Sequence, residues 1–171
     1  GEWQMTPFVN NYKGLIEALE EEGLVKDEDF WVWNYDWRQP VEDIASQLDD
    51  FIGEKVGESE KVDLVGHSLG GLTARVWLQE GENKDKANKA ITLGSPHQGS
   101  VSAYEAWSGG RVSDKFDPAK AALKILALIH EGDKGGEVGA IRAYAPILKD
   151  LMPTFSFLKE DGIQIALTDM E

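Results

Sequence analysis

The chain has 171 residues, 42% of them hydrophobic, which is enough for a sizeable core and makes one domain the default. Lys and Arg number 17 against 31 Asp and Glu, and the resulting net charge of -14 repels phosphate backbones and anionic headgroups, arguing against nucleic acid as a partner. Cysteine is absent, which removes disulfides, a thiolate nucleophile and cysteine-based zinc sites, and no run approaches the roughly 18 apolar residues of a membrane span.

Phe8, Tyr12, Leu15, Ile16 and Leu19 recur at helical spacing, with Thr6-Pro7 as a start and Gly23 as a stop, and predict an amphipathic helix. The acidic runs Glu20-Glu21-Glu22 and Asp27-Glu28-Asp29 lack the alternate-ligand spacing of a calcium loop and read as solvated surface. Phe30 to Tyr35 is aromatic and β-prone, so it predicts a strand that leaves through the polar loop Asp36 to Pro40. Val41, Ile44, Leu48, Phe51 and Ile52 mark a second helix ending between Gly53 and Gly57.

Val62, Leu64 and Val65 read as a buried parallel strand, and Leu69, Leu72, Thr73, Val76 and Trp77 fall at helical spacing immediately after it. After a polar linker from Glu80 to Lys89, Ala90 to Leu93 predicts another buried strand, which ends in Gly94-Ser95-Pro96-His97-Gln98-Gly99-Ser100. The alternation of helix and strand predicts a parallel α/β sheet with right-handed crossovers and a ligand crevice at the carboxyl ends of its strands. Asp36, Ser68 and Ser95 fall at that edge.

From Val101 the alternation stops. Ala119, Ala122, Leu123, Leu126, Ala127 and His130 line one helical face, and Ile141, Tyr144, Ala145, Leu148, Leu151 and Met152 form a second apolar stripe that Pro146 kinks or restarts. Residues 101–158 read as a helical insertion over the crevice, either a mobile lid or a static cap. Ile163 to Leu167 is the next strand candidate, and 159–171 is the candidate return to the core.

The spelling Gly66-His67-Ser68-Leu69-Gly70 between strand and helix is a G-x-S-x-G nucleophile elbow. A serine aimed away from the backbone there needs a sharp turn with strained φ/ψ, and Gly66 and Gly70 remove Cβ atoms that would collide. Ser68 is the candidate nucleophile. Asp36 and Arg38 have two readings, contact with substrate at the crevice edge or mutual and backbone pairing that holds the loop, and the second is preferred. No ligand cluster points to a metal, and the chemistry requires no organic cofactor.

Tyr35-Asp36-Trp37-Arg38, the elbow, and Gly94 to Ser100 together resemble the α/β-hydrolase superfamily, within it the lipases and acyltransferases related to lecithin:cholesterol acyltransferase. The likeness is good over roughly residues 30 to 100 and weaker over the cap, where Leu148 to Leu158 looks like a cap segment of bacterial relatives. It implies an α/β-hydrolase fold, with a partial core over 1–100 (elbow at 66–70) followed by the cap. It also implies acyl transfer from an ester: Ser68 attacks the carbonyl, the backbone N–H of Leu69 is one oxyanion donor, and a histidine oriented by an acid moves the proton.

Several family parts have no counterpart in these residues. The superfamily order is serine, acid, histidine. Only His97 and His130 follow Ser68; His97 fits a structural or substrate-lining role and His130 a packed position, while His67 points elsewhere. No H-G loop for the second oxyanion donor precedes Thr6. The residues therefore read as an internal piece of a longer hydrolase, with the triad acid and base outside it.

The expected activity is a lipase or esterase acting on apolar acyl esters. Two alternatives stay open: an acyltransferase with an alcohol acceptor, and a non-catalytic hydrolase-like binding module. The expected partners are a small lipid or ester substrate and, transiently through the cap, a lipid interface; the resemblance favours an extracellular location.

Overall fold

The predicted first helix forms as α1 (Lys13–Glu21) in a computed structural model that describes residues 12–57, 60–109, 136–160 and 163–165. Gly23 closes it: the Gly23 N–H donates to the Glu20 carbonyl and the Leu24 N–H to Leu19, the paired bonds of a Schellman turn. The helix start at Thr6-Pro7 and the apolar helix of 119–130, with His130, lie outside the described residues. The chain divides into two compact units, Gly1–Tyr35 and Asp36–Glu171.

In the first unit the strand expected at Phe30 to Tyr35 does not form. Phe30 makes one isolated bridge with Lys26, and residues 31–36 are irregular. The polar residues before it fold locally instead: the Asp27 N–H donates to the Phe30 carbonyl at 2.8 Å, and Asp29 Oδ2 accepts the Val25 N–H at 2.8 Å. Aromatic β-propensity describes a fit to a pleated, half-buried surface and does not supply the neighbouring strands.

The second unit holds the parallel sheet and the Ser68 turn. Its scaffold is a β-α-β unit in which β1 (Val62–His67) and β2 (Ala87–Leu93) run parallel, with Gly66 opposite Thr92 and His67 opposite Leu93. The connection is α3 (Leu69–Gln79) followed by the short α4 (Asn83–Lys86), so the polar linker read from Glu80 to Lys89 is mostly structured, with 83–86 in α4 and 87–89 in β2. α2 (Val41–Val56) lies against α3. Ile44, Ala45, Leu48 and Ile52 from α2 and Ala74 and Trp77 from α3 form the buried layer between them.

Along β1 only one face has cover among the described residues, and β2 is exposed from Asn88 to Leu93. Burial alternates strictly along β1, with Val62, Leu64 and Gly66 turned to α3, while Val65, Ile91 and Leu93 remain 51%, 48% and 48% exposed. That corrects the reading of both strands as buried. Apolar runs signal a parallel strand with a layer on each side, and here one layer is in place.

Trp77 is fully buried, and its indole nitrogen donates to Asp49 Oδ1 at 2.9 Å, an oxygen shared with Lys86 Nζ at 2.9 Å. Burial alone would raise the Asp49 carboxyl, but the bonds from Lys86 and Trp77 outweigh it and hold the group below the usual carboxylate range. Asp49→Ala should cost about 1–3 kcal/mol, because it leaves a buried indole N–H without an acceptor. The folded pKa is depressed, so this part of the stability is present above the ordinary aspartate pKa and is lost as pH falls through the folded value. Urea midpoints of the two proteins, measured across that acid range, should converge.

Beyond the sheet lie α5 (Val101–Gly109), α6 (Gly136–Tyr144) and α7 (Ile147–Asp150). Pro146 starts a new helix, as one of its two sequence readings required. α5, which the sequence reading passed over, buries Ala103 and Ala106; Ala140 and Ile141 of α6 and Ile147 and Leu148 of α7 are buried too. Its apolar face is built from alanines, too weak a stripe to stand out beside Ser108-Gly109. β3 (Leu158–Glu160) and β4 (Ile163–Ile165) pair antiparallel in a sheet of their own.

Candidate active site

Ser68 occupies the turn between β1 and α3 at φ 52°, ψ -120°, and its side chain is exposed. The turn is held on both sides. The Ser68 N–H donates to the Leu93 carbonyl at the end of β2 (2.9 Å), and the Ser68 carbonyl accepts the Gly71 N–H (3.1 Å). A Cβ on Gly66 would lie 2.6 Å from the Gly70 carbonyl carbon and oxygen, so this glycine lets the strand end pass against the first turn of α3. Leu69 follows as the first residue of α3, and its N–H therefore has no acceptor within the helix.

A second close approach lies outside the G-x-S-x-G spelling. A Cβ on Gly71 would overlap Ser95 Oγ and come within 2.9 Å of Ser95 Cβ and 3.0 Å of Thr92 Cβ. Ser95 Oγ is itself buried with no hydrogen-bond partner among the described residues. The signal was one extra glycine after the motif, which spacing alone does not separate from a tolerated helix residue.

Asp36 and Arg38 pair with each other. Arg38 donates from Nε to Asp36 Oδ1 (2.8 Å) and from its terminal nitrogen to Oδ2 (2.6 Å), and its backbone N–H also reaches Oδ1 at 3.1 Å. Both carboxylate oxygens are thus engaged within the loop. The side-chain bonds from Arg38 hold the Asp36 carboxyl below its ordinary value against a smaller opposing effect of burial. Asp36→Asn should remove stability that is present above the ordinary aspartate pKa and lost as pH falls through the depressed folded one. With the pair more than a third exposed, the loss should stay within about 1 kcal/mol, read as a flatter acid limb in chemical unfolding against pH.

Beside Leu69 lies an open groove of about 220 Å³. Its apolar walls come from Leu69, Leu72 and Val76 on α3, Val41 at the start of α2, and Ile147 and Leu151 at α7. Arg75, Gln79, His97 and Asp150 supply its polar groups. His97 is exposed and shares a hydrogen bond between its Nε2 and Thr92 Oγ1 at 3.1 Å. The structure thus brings His97 and Leu69 to one groove, while Asp36 is not among its lining residues. His67 ends β1 opposite Leu93, on the same sheet face as the exposed Val65.

The far wall of the groove is tied down by backbone contacts that spacing could not reveal. The Ile147 N–H donates to the Arg38 carbonyl (3.3 Å), and Asp150 Oδ2 accepts the Val41 N–H (2.9 Å), placing a carboxylate at the positive end of α2. Ser100 and Thr154 donate their N–H groups to the carbonyls of Leu151 (2.8 Å) and Gln98 (2.9 Å). Gly99 passes so close that a Cβ there would lie 2.7 Å from Pro153 Cα. Two of the segments quoted for the resemblance, Gly94 to Ser100 and Leu148 to Leu158, are therefore in backbone contact.

Among the described residues no cluster of three or more histidine, aspartate or glutamate side chains is placed to hold a metal ion, and no helix is long and apolar enough to cross a membrane. No curated protein and no solved structure matches the chain. Among protein families, lecithin:cholesterol acyltransferase matches residues 4–129, most of the chain and all of the β-α-β unit with its Ser68 turn. The chain belongs to the lecithin:cholesterol acyltransferase family.

Proposed function

We propose that the chain carries the nucleophile of a serine ester hydrolase that acts on apolar acyl esters through an acyl-enzyme, with Ser68 as that nucleophile. The observation that carries this reading is the Ser68 backbone at φ 52°, ψ -120°. A non-glycine residue there costs about 1–3 kcal/mol and persists only where its surroundings hold it, commonly at functional sites. What the strain holds in place is an exposed hydroxyl on a strand-to-helix turn, the form of a nucleophile elbow.

In this mechanism Ser68 Oγ bonds to the ester carbonyl carbon as its proton passes to a base. The carbonyl oxygen becomes an oxyanion and accepts the Leu69 N–H, a donor of a kind that lowers the barrier by on the order of 3 kcal/mol. Collapse breaks the bond to the alcohol oxygen, which leaves with the transferred proton, and water then attacks the acyl-enzyme to release the acid. The base and acid are assigned to residues other than His67 and His97. His67 ends β1 on the sheet face turned away from α3, and Thr92 engages His97 Nε2.

Family membership favours a second reading, in which an alcohol takes the place of water. Both readings need the same serine, so product analysis separates them: free acid alone when a sterol is supplied marks a hydrolase, and a new ester marks a transferase. Both are tested by Ser68→Ala in the natural protein, which should abolish labelling by a fluorophosphonate. Retained labelling overturns Ser68 as the nucleophile.

A further inference from the structure

We propose that His97 is a positioning residue for the nucleophile: by bonding Thr92 it fixes the carboxyl end of β2, which in turn holds the Ser68 turn. The assignment rests on Ser68 as the nucleophile and concerns what keeps that serine in place.

The Ser68 turn depends on one residue of β2. Its N–H donates to the Leu93 carbonyl at 2.9 Å, the bond that joins the strained φ 52° position to the neighbouring strand. Leu93 is the last residue of β2, and Gly94 at φ 58° turns the chain away directly after it. Among the described residues β2 pairs with β1 alone, and the ladder between them ends at Leu93. Strand ends of this kind fray unless a further contact anchors them.

His97 supplies that contact. Its Nε2 shares a hydrogen bond with Thr92 Oγ1 at 3.1 Å, tying the loop after β2 back to the residue before Leu93. Thr92 lies opposite Gly66 in the ladder, and a Cβ on Gly71 would come within 3.0 Å of its own Cβ. Thr92 is thus at the place where β2 meets both the end of β1 and the first turn of α3.

The loop end of the link is itself fixed. The His97 N–H donates to the Ser95 carbonyl (2.9 Å) and the Gly99 N–H to Pro96 (2.8 Å), while Gln98 and Ser100 are bonded to Thr154 and Leu151. His97 therefore joins a loop held from outside the sheet to the strand that holds Ser68. A misplacement of about 1 Å at a reacting atom can cost on the order of 100-fold in rate, so even slight slackening at Leu93 is readable in turnover.

The test measures kcat and KM of the natural protein on p-nitrophenyl butyrate, with rates expressed per site titrated by a fluorophosphonate so that unfolded protein does not count. His97→Ala and Thr92→Val should each lower kcat by about fivefold or more, the scale set by one lost hydrogen bond, with KM within about twofold of wild type. The double variant should be no slower than the slower single one, because both act through one bond. His97→Gln, whose amide can reach the same hydroxyl, should recover most of the wild-type kcat. Wild-type kcat per titrated site in both single variants overturns the assignment, as do losses that multiply in the double variant. A loss of about 1,000-fold or more in His97→Ala that glutamine does not recover makes His97 the catalytic base and overturns it too. Wild-type protein that the fluorophosphonate does not label overturns the Ser68 reading and the positioning role with it.

Discussion

Alanine at Ser68 is expected to lower kcat toward acyl esters by about 10⁶-fold in the natural protein, the scale on which loss of a serine nucleophile acts in an intact triad. The Leu69 N–H remains in the variant, so KM should move little and a residual rate above the uncatalysed reaction should persist. Stability separates this outcome from simple misfolding. Alanine keeps the Cβ and hence the cost of φ 52°, so Ser68→Ala should unfold within about 0.5 kcal/mol of wild type. Ser68→Gly relieves that cost and should be more stable than the alanine variant by about 1 kcal/mol, while being equally inactive. Such a pair would show that the turn spends folding stability to hold the hydroxyl. If both variants keep turnover near wild type, the turn is strained for some reason other than catalysis.

The features that a local pattern specifies were legible in the sequence. α2 and α3 follow from apolar spacing, and the Ser68 turn follows from glycine spelling between a β-branched run and a helical one. The resemblance added the family, which the match over residues 4–129 shows. Features that depend on distant partners were not legible. Val65 and Ile91 read as buried because hydrophobicity reports what a side chain prefers, and whether a covering layer exists is decided elsewhere in the chain. Phe30 to Tyr35 misled for the same reason: a β-prone segment becomes a strand only when neighbours take up its backbone bonds. The groove was hidden more completely. Leu72, Val76 and Leu151 read only as apolar positions at helical spacing, and nothing in that spacing shows that α7 sits at the same groove as α3, held to the start of α2 by the bond from Val41 N–H to Asp150.

Gly71→Ala should destabilise the protein although it places a better helix former in α3. Helix propensity alone favours alanine over glycine by about 1 kcal/mol. Sterics oppose it: the new Cβ overlaps Ser95 Oγ and meets Ser95 Cβ at 2.9 Å and Thr92 Cβ at 3.0 Å. Rotation about the Ser95 Cα–Cβ bond can move Oγ away, but the Cβ atoms of Ser95 and Thr92 are fixed to the backbone of β2 and the turn that ends it, so α3 itself must shift. Overpacking of this kind costs about 1–3 kcal/mol, occasionally more, and the net loss should be about 2 kcal/mol in urea unfolding. Ser95→Gly removes the overlapping atoms, and in that background the same alanine should cost less than about 1 kcal/mol, a coupling that a double-mutant cycle reads directly. Ser95→Ala supplies an independent control: it deletes a buried hydroxyl that has no partner among the described residues and should be neutral or mildly stabilising. A Gly71→Ala protein as stable as wild type would mean that α3 and β2 are farther apart than the structure places them. Because α3 carries the Leu69 N–H in its first turn, the shift that accommodates the methyl should also depress kcat, and Ser95→Gly should restore turnover and stability together.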